Sequence, residues 1–174
     1  YIISEDIPSI HAFVKLRNGE RVKIHCLHPK PPSPTEDETS TNRDAELLIV
    51  GKDADADKHS VMVFGDLNDV AWSHTTELFR KTSELLDPRR GRGFYSTFSA
   101  NHKWMQFPLD YIFCSSHFGL ISMKKMPHNG SDHYPMFIHL HYNRTLENEQ
   151  EEPDADAKER TEAAEKATSP VPEE

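Results

Sequence analysis

The most constraining feature of the sequence is a stretch from Ile10 to Leu27 in which apolar residues recur at every second position on either side of Asn18-Gly19. Alternation with a period of two is typical of a strand that buries one face. Asn-Gly is a strong hairpin signal, because both residues tolerate positive φ. The sequence therefore predicts a β-hairpin over these residues.

The rest of the chain predicts strands interleaved with helices, which favours a layered α/β domain. Pro-rich and acidic residues from His28 to Ser40 predict a loop, and Gly51 to Lys58 predict a polar connection. Two helices are predicted: one over 41–50, and one that is capped by Ser73 and ends near Leu86, before Pro88. Four further strands are predicted over 60–64, 108–115, 118–123 and 134–142. The strands 108–115 and 118–123 are expected to be joined by a tight turn.

The formal charge of −9 is concentrated at the end of the chain. From Glu147 to Glu174 there are 11 acidic and 3 basic residues, which leaves 18 acidic and 17 basic residues before them. Such a segment has too little apolar surface to offset its ordering entropy. We therefore predict a folded domain over 1–143 and a disordered acidic tail over 144–174, with a short helix from Ala157 to Ala167 as the alternative.

Composition narrows the partners of the folded part. Its near-neutral charge is unlike that of high-affinity nucleic-acid binders. Its basic residues are better explained by a solvated face, and its aromatic residues near loops, which could also stack on a substrate base or sugar, by core plugs. The chain has no run of 18 apolar residues and no signal-peptide pattern, so no membrane span is expected within it. The basic residues are Arg80, Lys81, Arg89, Arg90, Arg92, Lys103, Lys124 and Lys125, and the aromatic residues are Trp72, Phe94, Tyr95 and Trp104.

Polar residues stand where apolar strands are predicted to stop. Asp66 and Asn68 follow the apolar run 61–64 and are two residues apart, so they project to the same side. A carboxylate beside a carboxamide can orient a water and hold charge that develops on a phosphate. The same residues also favour a plain polar turn.

Four further polar residues lie at the start or end of predicted strands. Asp110 begins an apolar strand, and a half-buried carboxylate needs a partner such as a histidine. Asp132 and His133 precede the last strand and can act as a metal ligand and an acid–base group, and His28 ends the hairpin. Taken singly, Asp132-His133 is better explained by a hydrogen-bonded turn and His28 by a structural role, and Asp110 is also consistent with an exposed edge strand.

In this order, however, the motifs resemble the C-terminal half of the endonuclease/exonuclease/phosphatase superfamily, the DNase I-like fold. They are His28-Pro29, Gly65-Asp66-Leu67-Asn68, Leu109-Asp110-Tyr111-Ile112 and Ser131-Asp132-His133. Residues 66–73, Leu86-Asp87-Pro88 and Gly91-Arg92-Gly93-Phe94 look like its bacterial, often membrane-tethered branch, so the resemblance covers about residues 7–142.

The resemblance implies a fold and a set of roles. The fold would be the C-terminal half of a four-layer α/β-β/α sandwich, with a mostly antiparallel sheet and helices on one face. By resemblance, Asp66 orients or deprotonates the attacking water, Asn68 and His28 contact phosphate oxygens, and His133, held by Asp110, stabilises the transition state or bridges to the leaving group. Asp132 lies at or near the metal, which is Mg²⁺ or Mn²⁺ because oxygen ligands suit hard cations.

The chain also departs from the family pattern. The residues before His11 are too few to supply the family's N-terminal half, which contributes a glutamate metal ligand. We therefore expect this chain alone to be inactive or weakly active, and its uncovered apolar face to favour self-association. The substrate would carry a phosphate, whether in nucleic acid, a phospholipid or a small phosphoester.

Two alternatives remain open at this point. The first is a non-catalytic binding module that has kept the fold. The second is a zinc site, built either from His25, Cys26 and His28 or from His139 and His141, although neither spacing matches a closed four-ligand pattern.

Overall fold

The computed structural model describes residues 2–3, 8–31, 37–70, 72–101, 104 and 106–169, which form two β-sheets and flanking helices. A 3₁₀ turn, Arg144–Asn148, precedes the last helix. The elements in chain order are β1 (Ile10–Lys15), β2 (Arg21–Leu27), α1 (Asp37–Ala56), β3 (Ser60–Asp66), α2 (His74–Thr82), β4 (Asp110–Cys114), β5 (Phe118–Lys125), β6 (Met136–Tyr142) and α3 (Ala157–Ala167).

The first sheet has the strand order β1-β2-β3-β4. The predicted hairpin is confirmed, because β1 and β2 pair antiparallel around a turn in which Gly19 has a φ of +93°. Helix α1 carries the chain from β2 back to β3, so these two strands are parallel, whereas β3 and β4 are antiparallel. The sheet is therefore mostly antiparallel, as predicted.

One face of this sheet is covered by α1 and α2. Phe113 of β4 is fully buried there and packs edge-on against Phe79 of α2 with 5.0 Å between ring centroids. Val61 and Val63 of β3 are also buried in this cluster. Burial of these side chains is the main stabilising contribution to the fold.

The other face packs against the second sheet, in which β5 pairs antiparallel with β6. Val22, Cys114 and Phe118 form the buried contact between the sheets. The predicted strands over 108–115 and 118–123 therefore exist, but they belong to different sheets and are not paired with each other. Ile10 and Val14 of β1 stay 59% and 42% exposed, and self-association through this face stays a prediction.

Helix α1 is longer than the predicted 41–50. It begins at Asp37 and ends at Ala56, so the predicted loop to Ser40 and the predicted connection 51–58 are wrong where they overlap it. The last turns are stabilised by tertiary contacts, because Lys23 Nζ lies 2.8 Å from Asp53 and 2.9 Å from Asp57. The spacing of apolar residues in a sequence gives no information about such ion pairs.

Helix α2 is shorter than predicted. Ser73 is its N-cap, as expected, and accepts a hydrogen bond from Thr76 N. The helix ends at Thr82 rather than near Leu86, because Glu84 adopts a φ of +58°. Leu86 instead forms an antiparallel bridge with Cys114 at the edge of β4.

The predicted disordered tail is wrong for residues 157–167, which form α3 and pack against α1. Ala163 is 9% exposed and belongs to the apolar cluster that also contains residues of α1 and α2. Asp156 and Glu159 form a capping box at the start of α3. Lys81 Nζ lies 2.6 Å from Glu159, and His74 Nε2 lies 2.6 Å from Glu162. Polar contacts with α2 thus accompany the apolar packing of Ala163 in a helix that has little apolar surface. Residues 170–174 lie outside the described part.

None of the helices in the described ranges is both long enough and apolar enough to cross a bilayer.

Candidate active site

Three strand ends bring His28, Asp66 and Asp110 to one rim of the first sheet. Asp66 is the last residue of β3 and is paired with Asp110, the first residue of β4. Leu27 ends β2 and is paired with Gly65 in the parallel register, so His28 comes next to Asp66. His28 Nε2 lies 3.8 Å from Asp66 Oδ2, and the His28 side chain is 66% exposed.

His133 completes this group from the loop that precedes β6. Its Nδ1 lies 2.8 Å from Asp110 Oδ2, and its Nε2 lies 3.5 Å from Asp66 Oδ2. Because an ionised carboxylate only accepts hydrogen bonds, Nδ1–H donates to Asp110 and Nε2 is directed toward Asp66. The sequence-predicted pair of His133 and Asp110 is thus in direct contact.

The position of His133 is set by the long connection between α2 and β4. Phe98 forms a backbone bridge with His133, and the two rings are 4.9 Å apart. On either side, Ala100 N donates to Asp132 O at 2.6 Å and Tyr134 N donates to Thr97 O at 2.9 Å. Backbone contacts on both sides therefore limit movement of the histidine.

Asn68 lies beside the carboxylate of Asp66. Its backbone N–H donates to Asp66 Oδ1 at 2.9 Å, and its Nδ2 donates to the carbonyl of Pro29 at 2.9 Å. A carboxamide has two N–H donors. One of them fixes the side chain against the loop after β2, and the other is suited to contact a phosphate oxygen.

Asp132 is the least enclosed of the predicted site residues. It is exposed, and its Oδ1 accepts a hydrogen bond from Ser131 Oγ at 3.5 Å. Its charge helps to raise the pKa of His133. Its predicted role as a metal ligand stays a prediction.

Burial and neighbouring charges shift the pKa values of Asp66 and His133. Burial raises the pKa of Asp66 and the charge of Asp110 adds to this, although the hydrogen bond from Asn68 N opposes it. Burial alone would lower the pKa of His133, but the hydrogen bond and charge of Asp110 and the charge of Asp66 raise it. Asp66 is thereby a stronger base than an ordinary aspartate, and His133 holds its proton to higher pH.

An apolar cleft of about 460 Å³ opens beside the group, between the two sheets. Asp110 and His133 line its mouth, and Phe64, Ile112 and Ile138 are among its walls. Apolar walls lower the local dielectric, so charge interactions near the mouth are stronger than in bulk water.

Two residues that hold the rim were not assigned to it from the sequence: Arg89 was expected on a solvated face, which is wrong because it is buried, and Asp69 was given no role. Arg89 is 7% exposed, pairs with Asp87 at 2.8 Å, and donates from Nη1 to the carbonyl of Asp110 at 3.0 Å. Asp69 is 6% exposed and accepts hydrogen bonds from Ser73 Oγ and Thr76 Oγ1. Arg89 directly follows Leu86-Asp87-Pro88, and Asp69 directly follows Gly65-Asp66-Leu67-Asn68. Their charge next to a family motif was the sequence signal that could have identified them.

The donor chemistry fits a hard divalent cation only in part. Asp66 and Asp110 supply the oxygen ligands that Mg²⁺ and Mn²⁺ prefer. Within the described ranges, however, no group of three or more His, Cys, Asp or Glu side chains is arranged to hold a metal ion. This also counts against the zinc alternative for His25, Cys26 and His28 and for the exposed His139 and His141.

The fold is similar to solved structures of low sequence identity. The catalytic domain of human nocturnin with a bound sulfate anion is 20% identical, has a TM-score of 0.60, and is matched over 78% of this chain and 53% of that one. For a conserved protein of unknown function from Enterococcus faecalis V583 the values are 14%, 0.61, 78% and 56%. For a mannosyl-6-phosphatase from Bacteroides thetaiotaomicron they are 16%, 0.54, 71% and 52%.

The chain thus spans about half the length of these structures. No curated protein matches it. The model of the Endonuclease/Exonuclease/phosphatase family matches residues 1–133, which include every predicted site residue. With a fold of the phosphoesterase type and this match over more than half of its residues, the chain belongs to the endonuclease/exonuclease/phosphatase family.

Proposed function

We propose that the chain provides the acid–base and phosphate-binding part of a hydrolase that cleaves phosphoester bonds with a divalent metal ion. The observation that carries the proposal is the contact of one histidine with two carboxylates at the strand ends: His133 Nδ1 with Asp110 and His133 Nε2 with Asp66. Pairs of titratable groups whose pKa values are shifted by their neighbours are typical of acid–base sites.

Asp66 is the proposed base. Its side chain is 15% exposed, and burial raises the pKa of its carboxyl, so it takes a proton from an attacking water more readily than an ordinary aspartate. The hydrogen bond from Asn68 N to Oδ1 leaves Oδ2 facing His28 and His133. The water would therefore be activated between these groups.

His133 is the proposed acid. Asp110 orients its ring and stabilises the imidazolium, so Nε2–H can donate to a phosphoryl oxygen or to the leaving oxygen as charge develops there. The second N–H of the Asn68 carboxamide and the exposed ring of His28 would bind the remaining phosphate oxygens. Each of these roles requires a reacting phosphate within about 3 Å of the donors.

A bound Mg²⁺ or Mn²⁺ would act as a Lewis acid that polarises the scissile phosphate. The residues that would hold the metal are Asp66, Asp110 and Asp132. Because the described residues hold only part of a coordination shell, we propose that this chain alone binds the metal weakly and hydrolyses phosphoesters slowly.

A non-catalytic binding module is the second candidate. The same lack of a complete metal-binding group in the described residues favours it. Such a module would bind phosphate at the strand ends without breaking the ester bond.

The pH dependence of hydrolysis tests the proposal. With bis(p-nitrophenyl) phosphate and Mn²⁺, we expect a slow, EDTA-sensitive rate with a bell-shaped pH profile. The rate falls on the acid side when Asp66 becomes protonated, at a pH above its ordinary pKa of 3.8, because its pKa is raised. It falls on the alkaline side when His133 loses its proton, at a pH above the ordinary pKa of 6.5.

An Asp66→Asn variant is the matched control, because it removes the acid limb and most of the rate while keeping the size of the side chain. Binding of phosphate without any Mn²⁺-dependent hydrolysis would favour the binding module. A rate that is unaffected by EDTA, or a profile that is flat between these limits, would contradict the proposed chemistry.

A further inference from the structure

Asn68 adopts a backbone conformation that needs external support. Its φ is +49°, in the left-handed region that is unfavourable for residues other than glycine, although asparagine tolerates it better than most. The residue lies between Asp66 and the first turn of α2, and its carboxamide must point at the substrate in the proposed reaction. Contacts that hold its backbone therefore also aim its side chain.

One of these contacts comes from α1. Arg43 Nη1 donates to the backbone carbonyl of Asn68 at 2.9 Å. The Arg43 side chain is only 12% exposed. A hydrogen bond from a charged donor in such an enclosed place is stronger than one between neutral groups.

The guanidinium of Arg43 is itself fixed by acidic neighbours. Nε and Nη2 donate to Asp44 Oδ1 at 3.1 and 2.7 Å, and Nη2 lies 3.6 Å from Asp69 Oδ1. A guanidinium is planar and presents its donors in a rigid fork. With one side of the fork on Asp44, Nη1 is held in the direction of Asn68.

Asp44 connects this arrangement to the other two helices. Its Oδ2 accepts a hydrogen bond from Thr75 Oγ1 of α2 at 2.5 Å and lies 3.7 Å from Lys166 Nζ of α3. Asp44 is thus placed by groups from α2 and α3, and Arg43 is placed by Asp44. The orientation of Asn68 consequently depends on how the three helices pack.

We propose that Arg43 is a positioning residue for the hydrolysis, which acts by holding the Asn68 backbone in its left-handed conformation. The proposal rests on the proposed function, because only there does Asn68 contact the substrate phosphate. Arg43 itself contacts the Asn68 carbonyl rather than the reacting atoms. Its effect is to keep the carboxamide of Asn68 beside Asp66.

The test compares Arg43→Gln and Arg43→Lys with Arg80→Gln as the matched control. Arg80 is similarly enclosed, at 15% exposed, and pairs with Glu77 at 2.6 Å, but it lies on α2 rather than on α1. The first readout is the NMR signal of Asn68: its amide exchange rate and its carbon chemical shifts, which report the sign of φ. The second readout is the residual rate with bis(p-nitrophenyl) phosphate and Mn²⁺.

In Arg43→Gln we expect the amide protection of Asn68 to fall about tenfold and its carbon shifts to leave the left-handed range, while core amides such as those of Val63 and Phe113 keep their protection. The rate should fall by about tenfold as well, since a small misplacement of a phosphate-binding group is costly. Arg43→Lys should lie in between, because an ammonium keeps the charge but not the fork. Arg80→Gln should leave Asn68 unchanged.

An unchanged Asn68 signal in Arg43→Gln would overturn the proposal. So would a uniform loss of protection across the core in both Arg43 variants, because Arg43 would then hold the fold as a whole. A changed Asn68 signal in a chain without any hydrolysis would leave the conformational effect standing and would contradict the proposed function instead.

Discussion

Replacing Gly65 by alanine is expected to lower the free energy of unfolding by about 3–5 kcal/mol, as the sum of a clash and backbone strain. A Cβ at this position would lie 1.9 Å from the backbone carbonyl oxygen of Leu27, and no side-chain rotation relieves a contact between backbone atoms. The φ of Gly65 is +145°, which adds strain for any residue with a side chain.

The consequence reaches the candidate active site directly. Leu27 and Gly65 are paired in the parallel ladder of β2 and β3, and they immediately precede His28 and Asp66. Relief of the clash requires the two strand ends to separate, which moves His28 away from Asp66. The variant should therefore lose residual hydrolysis even under conditions in which most molecules are folded.

Chemical denaturation and the hydrolysis rate measure these two effects, and Gly93→Ala is the matched control. Gly93 also has a positive φ, +112°, but a Cβ there would meet nothing within 4 Å. The control therefore reports backbone strain without a clash, and its loss of stability should be clearly smaller. Equal losses in the two variants would contradict the close approach of β2 and β3.

Replacing His133 by alanine is expected to lower the residual, Mn²⁺-dependent hydrolysis by about 100- to 10,000-fold, the range typical of a lost acid–base group. His133 is the only described residue that contacts both Asp110 and Asp66 by an ion pair. Its removal takes away the proton donor and leaves the two carboxylates without the positive charge between them. The alkaline limb of the pH profile should disappear with it.

The fold should tolerate this change, because the His133 side chain is 23% exposed and lies at the rim rather than in the apolar cluster. Thermal unfolding should accordingly move little. His139→Ala is the control, since His139 is exposed on β6 and belongs to no predicted catalytic group. A His133→Ala variant that hydrolyses the ester as fast as the His139→Ala variant would remove His133 from the mechanism.

Local patterns were sufficient to predict the strands and the residues at their ends. The alternation from Ile10 to Leu27 predicted the hairpin, although every residue of β1 is exposed and only β2 has buried side chains. The position of Asp66 and Asp110 at strand ends follows from apolar runs that stop at a charged residue. Their pairing across β3 and β4 needed the sheet register, which a single sequence does not determine.

Long-range ionic contacts account for most of what was predicted incorrectly or missed. The segment of α3 was predicted as part of a disordered tail because it has little apolar surface, with a helix as the alternative, yet it is helical and Glu159 and Glu162 contact Lys81 and His74 of α2. The support that Arg43 gives to Asn68 spans 25 residues of sequence. Neither contact has a local pattern, so neither could be predicted from the spacing of residues.

We propose that His28, Asp66, Asn68, Asp110 and His133 form a single phosphate-binding group, and titration with inorganic phosphate followed by NMR is the decisive experiment. A single group of this kind predicts that the signals of Asp66, Asp110 and His133 shift together along one binding curve, with a single dissociation constant. It also predicts that signals of His139 and His141 on β6 stay in place. Separate midpoints for these three residues, or shifts confined to other surfaces, would contradict it.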